Sequence, residues 1–404
     1  MSTTLEGVRV LDFGQGVAGP YCGQLLGDHG ADVIKVEPPR GDWSRTMGAQ
    51  DGSGLSGTFV SVNRNKRGLC LDLRSAEAVS LVRRLAHEAD VLVESFRPGV
   101  MDRLGLGRET LRRGNPGLVY CSVSGFGDSG PNVDLPAGDS IMQAYGGLMS
   151  IIGERDGEPL RVGNVVSDMI AGANAFSGVL LALLSQRTAA PQPDVRVSLL
   201  DSIVAFQGPP LTEYLLTGKV PRRLGNEHPL IAPSGAVKTA DGRINFTVFD
   251  HQWRAFCDGI GLPGLADDAR FRDTGGRQQN RDALNAELAR VFATRGSQAW
   301  LTELRRLDIL CAPINDYAAL VADSQVLHNG VVDRVNDAAG RAIPMLRNPV
   351  RVGDSAPRYS APPRLGEHTR EVLERELGLA AADVDQLISR GAALACEPLR
   401  ANAA

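Results

Sequence analysis

Over the first third of the chain, short apolar runs alternate with stretches of helical period. Val8–Phe13 predicts a strand, Tyr21–His29 a helix and Val33–Val36 a second strand. Ser75–Glu88 carries Val79, Val82 and Leu85 at helical spacing, and Val91–Glu94 and Leu118–Ser122 are further runs of strand length. Strand and helix signals in this order predict βαβ units and a parallel sheet flanked by helices. Asp168–Arg187 predicts one long helix, with Ser167 as its N-cap and Met169, Ala173, Phe176, Leu180, Leu183 and Leu184 as its apolar residues. Val195–Leu199 follows as a strand, and residues 218–233 have the composition of a loop.

The pattern changes after residue 233. An Asp241-Gly242 pair between two short runs predicts a hairpin, and helical stretches continue to Leu320, which together predict a small α+β domain. Residues 344–364 hold Pro344, Pro349, Pro357, Pro362 and Pro363, the signature of an extended linker. The tail, Glu367–Leu394, predicts two short helices broken at Gly378. At 404 residues the chain exceeds the ~250–300 that one core accommodates, so two domains are expected.

Composition narrows the classes. A net charge of -4 gives no general attraction to nucleic acid or anionic membrane. The opening MSTTLEGVRVLDF lacks a basic region followed by an apolar one, so no secretory signal is expected. The longest apolar run, Phe176–Leu184, is about half a bilayer span, so no membrane partner is expected. The cysteines Cys22, Cys70, Cys121, Cys257, Cys311 and Cys396 are scattered singly and the histidines form no H-x-x-x-H pair. This spacing predicts no metal site, and reduced core thiols in a cytoplasmic protein.

Three motifs carry candidate chemistry. Gly14-Gln15-Gly16-Val17-Ala18-Gly19 is a literal G-x-G-x-x-G between strand and helix. It is compatible with a dinucleotide site, with a glycine-lined loop for another large ligand, or with a structural turn. Pro20 belongs in a first helical turn, which puts the helix start near residue 19 or 20 and leaves the glycines in a preceding loop. Gly127-Asp128-Ser129-Gly130-Pro131 has the letters of a serine-protease nucleophile motif, but in a βαβ chain it reads as a surface turn. Asp168 opens the long helix, either as a carboxylate favoured by the helix dipole or as a nucleophile.

Taken together, these stretches resemble the class III CoA-transferases, the group that includes formyl-CoA transferase and carnitine CoA-transferase. The likeness rests on "LEGVRVLDFGQGVAGPYCGQLLGDHGADVIKVEPPRGD", "VNRNKRGLCLDLRS", "VESFRPGVMDRLGLG", "SVSGFGDSGP", "VSDMIAGANAFSGVLLALLSQRT", "VRVSLLDS", "GNEHPLIAPSGAVKTADGRI", "NRDAL" and "RLGEHTREVLEREL", in that order along the chain. The resemblance implies an α/β fold in which a Rossmann-like large domain with a parallel sheet is joined to a small α+β domain, in an interlocked-ring homodimer. The implied divisions are 1–200 for the N-terminal part of the large domain, 201–225 for a linker, 226–325 for the small domain and 326–404 for a linker and the return to the large domain.

The resemblance also implies the chemistry. Coenzyme A would pass from an acyl-CoA donor to a carboxylic acid acceptor, through a mixed anhydride and a CoA thioester on Asp168. No cofactor would be held permanently, since the CoA thioester is itself a substrate. Arg103 matches a family arginine near the CoA phosphates, Leu71, Leu73 and Arg74 match the adenine surround, and Ser95, Phe96 and Arg97 match a further CoA contact segment. Gln15, Val17 and Ala18 would line the acyl end. Gly138 stands where many members carry Tyr, Ser234 replaces a common Tyr, residues 189–193 replace a glycine-rich turn, and Val17 replaces the Gln of formyl-CoA transferase. These departures argue against oxalate or formate as the acid. Two other readings share the fold: an acyl-CoA racemase and a non-catalytic CoA-binding protein. The first needs a His in an A-G-H-D pattern, where this chain has Ala137-Gly138-Asp139 and no histidine between His87 and His228.

Overall fold

The structure is a computed structural model and describes residues 4–50, 55–185, 194–353 and 358–396. The segment 189–193 lies outside them. The chain divides into two compact units: Met1–Leu148, Arg161–Gly218 and Gly330–Ala404 form the larger, Met149–Leu160 and Lys219–Asn329 the smaller.

In chain order the strands of the described residues are β1 (Arg9–Asp12), β2 (Asp32–Glu37), β3 (Lys66–Leu71), β4 (Val91–Glu94), β5 (Val119–Ser124), β6 (Val195–Ser198), β7 (Ser234–Lys238), β8 (Arg243–Thr247), β9 (Leu310–Pro313), β10 (Val332–Asn336), β11 (Ala342–Leu346) and β12 (Ala393–Leu394). The larger unit is built on a 7-stranded sheet of order β12-β3-β2-β1-β4-β5-β6, parallel except for β12. From β1 the chain moves outward through β2 and β3, then crosses back to β4 and proceeds the other way. The strand order therefore reverses between β1 and β4, and in open α/β sheets the crevice beyond the carboxyl ends at that point is where ligands bind.

One face of the sheet is covered by helix Ala76–His87 and by the C-terminal tail. Ala78, Val82 and Leu85 of the helix and Val372, Leu373, Val384 and Leu387 of the tail pack with Leu11, Ile34, Leu69 and Leu92 of the strands. The tail does form two helical segments around Gly378, but it ends in β12, a strand that sequence periodicity does not show. Residues 344–346, expected to open the proline-rich linker, instead complete β11, which pairs with β10 and packs Ile343 and Met345 on Leu55 and Phe59.

The long helix runs Val166–Ser185, so Ser167 lies in its first turn and is not its N-cap. Its buried stripe is Ala171, Gly172, Ala175, Val179 and Ala182, whereas Leu181 and Leu184 are exposed. Small residues are buried because neighbours approach the backbone closely: a Cβ on Gly172 would lie 2.6 Å from the Ala18 carbonyl oxygen. By length and composition this helix is long and apolar enough to cross a membrane, which the shorter run seen in the sequence is not. It packs against β5, β6 and helix Ala18–Asp28.

The smaller unit holds the antiparallel sheet β7-β8-β9. The Asp241-Gly242 hairpin joins β7 to β8 as expected. Phe246, Phe256, Phe292 and Trp300 form a stacked aromatic core beneath it.

Candidate active site

The loop after β1 is held by buried charge. The N–H of Gly14 donates to Asp12 Oδ1 (2.8 Å), that of Gln15 to Ser95 Oγ (2.9 Å) and that of Gly16 to Asp42 Oδ1 (3.0 Å). Lys35 Nζ donates to the Gly14 carbonyl (2.8 Å) and to Asp42 Oδ2 (2.9 Å). Lys66 Nζ reaches Asp12 Oδ2 and the Pro20 carbonyl, both at 2.7 Å, and Asn63 Oδ1 at 2.9 Å. The side chains of both ion pairs, Lys66–Asp12 and Lys35–Asp42, are fully buried.

Burial works against each of these charges, and the outcome depends on the partners. It pushes the Lys66 ammonium down to about 8, Asp12 pulling it up and Lys35 pushing it further down. It opposes the Asp42 carboxylate too, yet Lys35 and the N–H groups of Gly16 and Ser44 hold that carboxyl below its usual range. The network locks the loop in one shape.

That shape decides between the readings of the glycine motif. A dinucleotide loop presents free N–H groups to a pyrophosphate. Here the N–H groups of Gly14, Gln15 and Gly16 are taken by Asp12, Ser95 and Asp42. The glycines meet local demands instead: Gly16 has φ +78°, and Gly14 and Gly19 are crowded by Pro20 and Ser95. The helix begins at Ala18, with Pro20 in its first turn. Among the described residues the N–H groups of Val17 and Ala18 have no acceptor.

The long helix brings Asp168 to this loop. Gly172 meets Ala18 and Tyr21, and Phe176 stacks on His29 with ring centroids 5.6 Å apart, so the two helices run in the same direction. Asp168 lies one turn before Gly172 on the same face. It therefore lies on the side of the long helix that is turned toward helix Ala18–Asp28. Asp168 is half-buried, and among the described residues its carboxyl has no hydrogen-bond partner. Burial first, and the charge of Asp139 second, push its pKa up to about 7. The helix dipole favours the anion, but these two effects outweigh it.

Asp139 is itself buried and fully engaged. Its Oδ1 accepts from the Ser167 N–H (2.9 Å) and hydroxyl (2.8 Å), and its Oδ2 from Gln143 Nε2 (2.7 Å). Gln143 also donates to the Asn164 carbonyl (3.1 Å) and accepts from the Val162 N–H (2.8 Å). The first turn of the helix, with Asp168 in it, is thereby tied to helix Asp139–Tyr145.

The other expected site residues divide into groups. Gln15, Val17, Ala18 and Ser95 meet at the crevice between β1 and β4, Ser95 through its hydroxyl on the Gln15 backbone. Phe96 and Arg97 line a cavity of about 340 Å3 at the carboxyl ends of β4, β5 and β6. Arg103 is exposed on the following turn, with its guanidinium beside Gly99. Leu71 is fully buried in the core, Leu73 packs at its margin, and Arg74 is exposed and paired with Asp72 through both carboxylate oxygens. The Gly127–Pro131 motif is a turn in which Asp128 pairs with Arg196. Among the described residues no cluster of His, Cys, Asp and Glu is arranged to hold a metal ion.

Sequence reasoning missed Asp42, Trp43 and Glu94. Glu94 lines the same cavity; burial pushes its carboxyl up to about 7, against the pull of the Phe96 N–H and Ser122. Its signal was available, as an acid ending the wholly apolar Val91-Leu92-Val93.

A mostly parallel open sheet with a rigid loop at its switch point, and a half-buried carboxyl on the helix packed beside that loop, is the architecture of α/β enzymes that bind ligands beyond the strand ends. The sequence pattern of CoA-transferase family III matches residues 5–369. The chain is 37% identical over 382 residues to succinate--glutarate CoA-transferase of Agrobacterium fabrum, covering 91% of this chain and 94% of the relative. It is 35% identical to succinyl-CoA:mesaconate CoA-transferase of Haloarcula hispanica, covering 92% and 96%. A crystal structure of a CAIB/BAIF family protein from Brucella suis superposes with a TM-score of 0.85 at 35% identity, over 93% of this chain and 100% of that one. The chain belongs to CoA-transferase family III and is a CoA-transferase.

Proposed function

We propose that the chain moves coenzyme A between an acyl-CoA and a free carboxylic acid, with Asp168 as the nucleophile. The observation that carries this is Asp168 itself: a half-buried carboxyl without a hydrogen-bond partner among the described residues, next to the Asp139–Ser167 contact and on the side of its helix that meets Ala18. A carboxylate whose pKa is raised to about 7 is a stronger nucleophile than an ordinary one, and about half of it is ionised at neutral pH.

The steps balance without metal or ATP. The Asp168 carboxylate attacks the thioester carbonyl, CoA thiolate leaves, and an aspartyl–acyl anhydride forms. The thiolate attacks the Asp168 carbonyl, releasing the first acid and leaving an aspartyl-CoA thioester. The incoming carboxylate attacks that thioester and expels the thiolate, which then takes the new acyl group and frees Asp168. Burial around Asp168 protects the anhydride from water.

The names of the relatives, succinate–glutarate and succinyl-CoA:mesaconate, support a C4–C5 dicarboxylic acid as the substrate class. CoA lies along Arg103, Phe96, Arg97, Leu73 and Arg74, with its acyl end at Gln15, Val17 and Ala18. Leu71 contributes through its backbone, since its side chain is enclosed in the core. The working form is an interlocked homodimer; helix Gly208–Thr217 buries none of its residues and exposes Leu215 and Leu216, which supports cover by a second copy. Six free cysteines support a reducing, cytoplasmic location.

The test is a transfer screen: succinyl-CoA and acetyl-CoA as donors against glutarate, mesaconate, oxalate and formate, with new CoA esters identified by mass. A C4–C5 dicarboxyl-CoA product is expected. Absence of transfer with every pair contradicts the proposal.

A further inference from the structure

Trp43 is out of place for a tryptophan of a monomeric unit. The other two, Trp253 and Trp300, are buried, whereas Trp43 is 52% exposed. It opens the short turn Trp43–Thr46, and Asp42 caps that turn by accepting the Ser44 N–H at 2.9 Å. The same Asp42 oxygen accepts the Gly16 N–H, so one carboxylate ties the tryptophan's turn to the glycine loop. Contact follows from that tie. A Cβ on Gly16 would fall 2.1 Å from Trp43 Cζ2 and 2.8 Å from Cη2, so the benzo edge of the indole rests on the Gly16 backbone. Gly16 is also the loop residue with φ +78°, so the ring occupies space that no L side chain at 16 would leave open.

The ring is thus fixed along one edge and open over the rest, on the loop that precedes helix Ala18–Asp28. Among the described residues its indole N–H has no acceptor. An aromatic ring buries 150–250 Å2 when covered, a large apolar area to leave in water. Its seat on Gly16, in the loop that meets the helix carrying Asp168, points to what covers it.

Resting on the reading of Asp168 as the nucleophile, we infer that Trp43 is a specificity-determining residue that forms the wall of the acyl pocket, with the hydrocarbon of a C4–C5 acyl group lying on its open face. Acetyl and formyl groups are too short to use that face. The wall therefore selects chain length and leaves the chemistry at the thioester carbonyl untouched.

The test compares wild type, Trp43→Phe and Trp43→Ala on acetyl-CoA and glutaryl-CoA with one common acceptor. Burial of one methylene is worth about fourfold in an equilibrium, so loss of the wall under two or more methylenes costs glutaryl-CoA about tenfold or more in kcat/KM relative to acetyl-CoA. Trp43→Phe keeps a ring there and restores most of the ratio. A loss shared equally by both donors shows that Trp43 only braces Gly16 and overturns the inference, as does no loss at all.

Trp43 emission supplies a readout independent of turnover. Glutaryl-CoA, with binding followed separately by calorimetry, shifts or quenches the emission of wild type and leaves Trp43→Phe unchanged. Calorimetric binding without an emission change overturns the inference. So does an emission that follows protein concentration and ignores ligand, which would place a second copy on the ring. An enzyme that fails to transfer CoA yet shows the ligand-dependent emission sinks the Asp168 reading and leaves the wall standing.

Discussion

Ser167 donates both its backbone N–H and its hydroxyl to one oxygen of Asp139, at 2.9 and 2.8 Å. The residue beside Asp168, the proposed nucleophile, is thereby locked, and a second negative charge is kept close to it. In the Asp139→Asn variant the amide oxygen still accepts from Ser167, but the charge is gone. The Asp168 pKa then falls, because Asp139 is, after burial, the second cause of its elevation. The acid limb of the pH profile of kcat/KM moves to lower pH. Asp139→Ala also leaves the buried Ser167 N–H unpaired and costs about 1–3 kcal/mol of stability, read by denaturant melts.

In the proposed mechanism Asp168 must be ionised to attack. With its pKa at about 7, kcat/KM for the acyl-CoA rises with pH through neutrality and levels off above it. Stability runs the other way. The folded state holds this proton more tightly than the unfolded state, whose carboxyl titrates near 3.8. The resulting contribution is complete below pH 3.8 and is lost as pH rises through about 7. Asp168→Asn never ionises, so it gains Tm relative to wild type at pH 8 and not at pH 4.

Gly16→Ala meets two obstacles, a φ of +78° and the Trp43 ring. The backbone strain alone is about 1–3 kcal/mol. The expected result is a loss of transfer activity together with a shift in tryptophan emission, measured on the same preparation. A wild-type spectrum would show that the ring does not rest on Gly16.

Arg103→Ala weakens CoA-ester binding by about 1.5–3 kcal/mol, the range for a hydrogen bond to a charged group. The loss is the same for acetyl-, succinyl- and glutaryl-CoA if the arginine holds, as proposed, the part they share. Calorimetric Kd values for the three check this, and a loss confined to one ester would place Arg103 at the acyl end.

The βαβ order was readable because parallel strands buried on both faces are continuous apolar runs, as in Val10-Leu11 and Val91-Leu92-Val93. β3 was not readable. It opens with Lys66, Arg67 and Gly68, and the buried Lys66 is paired with Asp12, 54 residues away, and also held by the Pro20 carbonyl and Asn63. β12 is two residues long and exists because the edge of β3 accepts it. Large apolar residues of the long helix were expected inside, but close backbone approach at Gly172 selects alanine and glycine there. At the site, Asp168 and Gln15 stood out from their motifs and their family resemblance. Trp43 did not, since its meaning lies in a contact with Gly16 that only the fold creates.

The central claim is a covalent bond to Asp168, and it is tested most directly by incubating the enzyme with acyl-CoA and no acceptor acid, then digesting and mapping by mass. An adduct is expected on the peptide containing Asp168, reactive toward hydroxylamine, and absent in Asp168→Asn although that variant folds and binds CoA esters. An adduct on Asp139 or Asp201, or an Asp168→Asn enzyme that keeps full transfer activity, would contradict it.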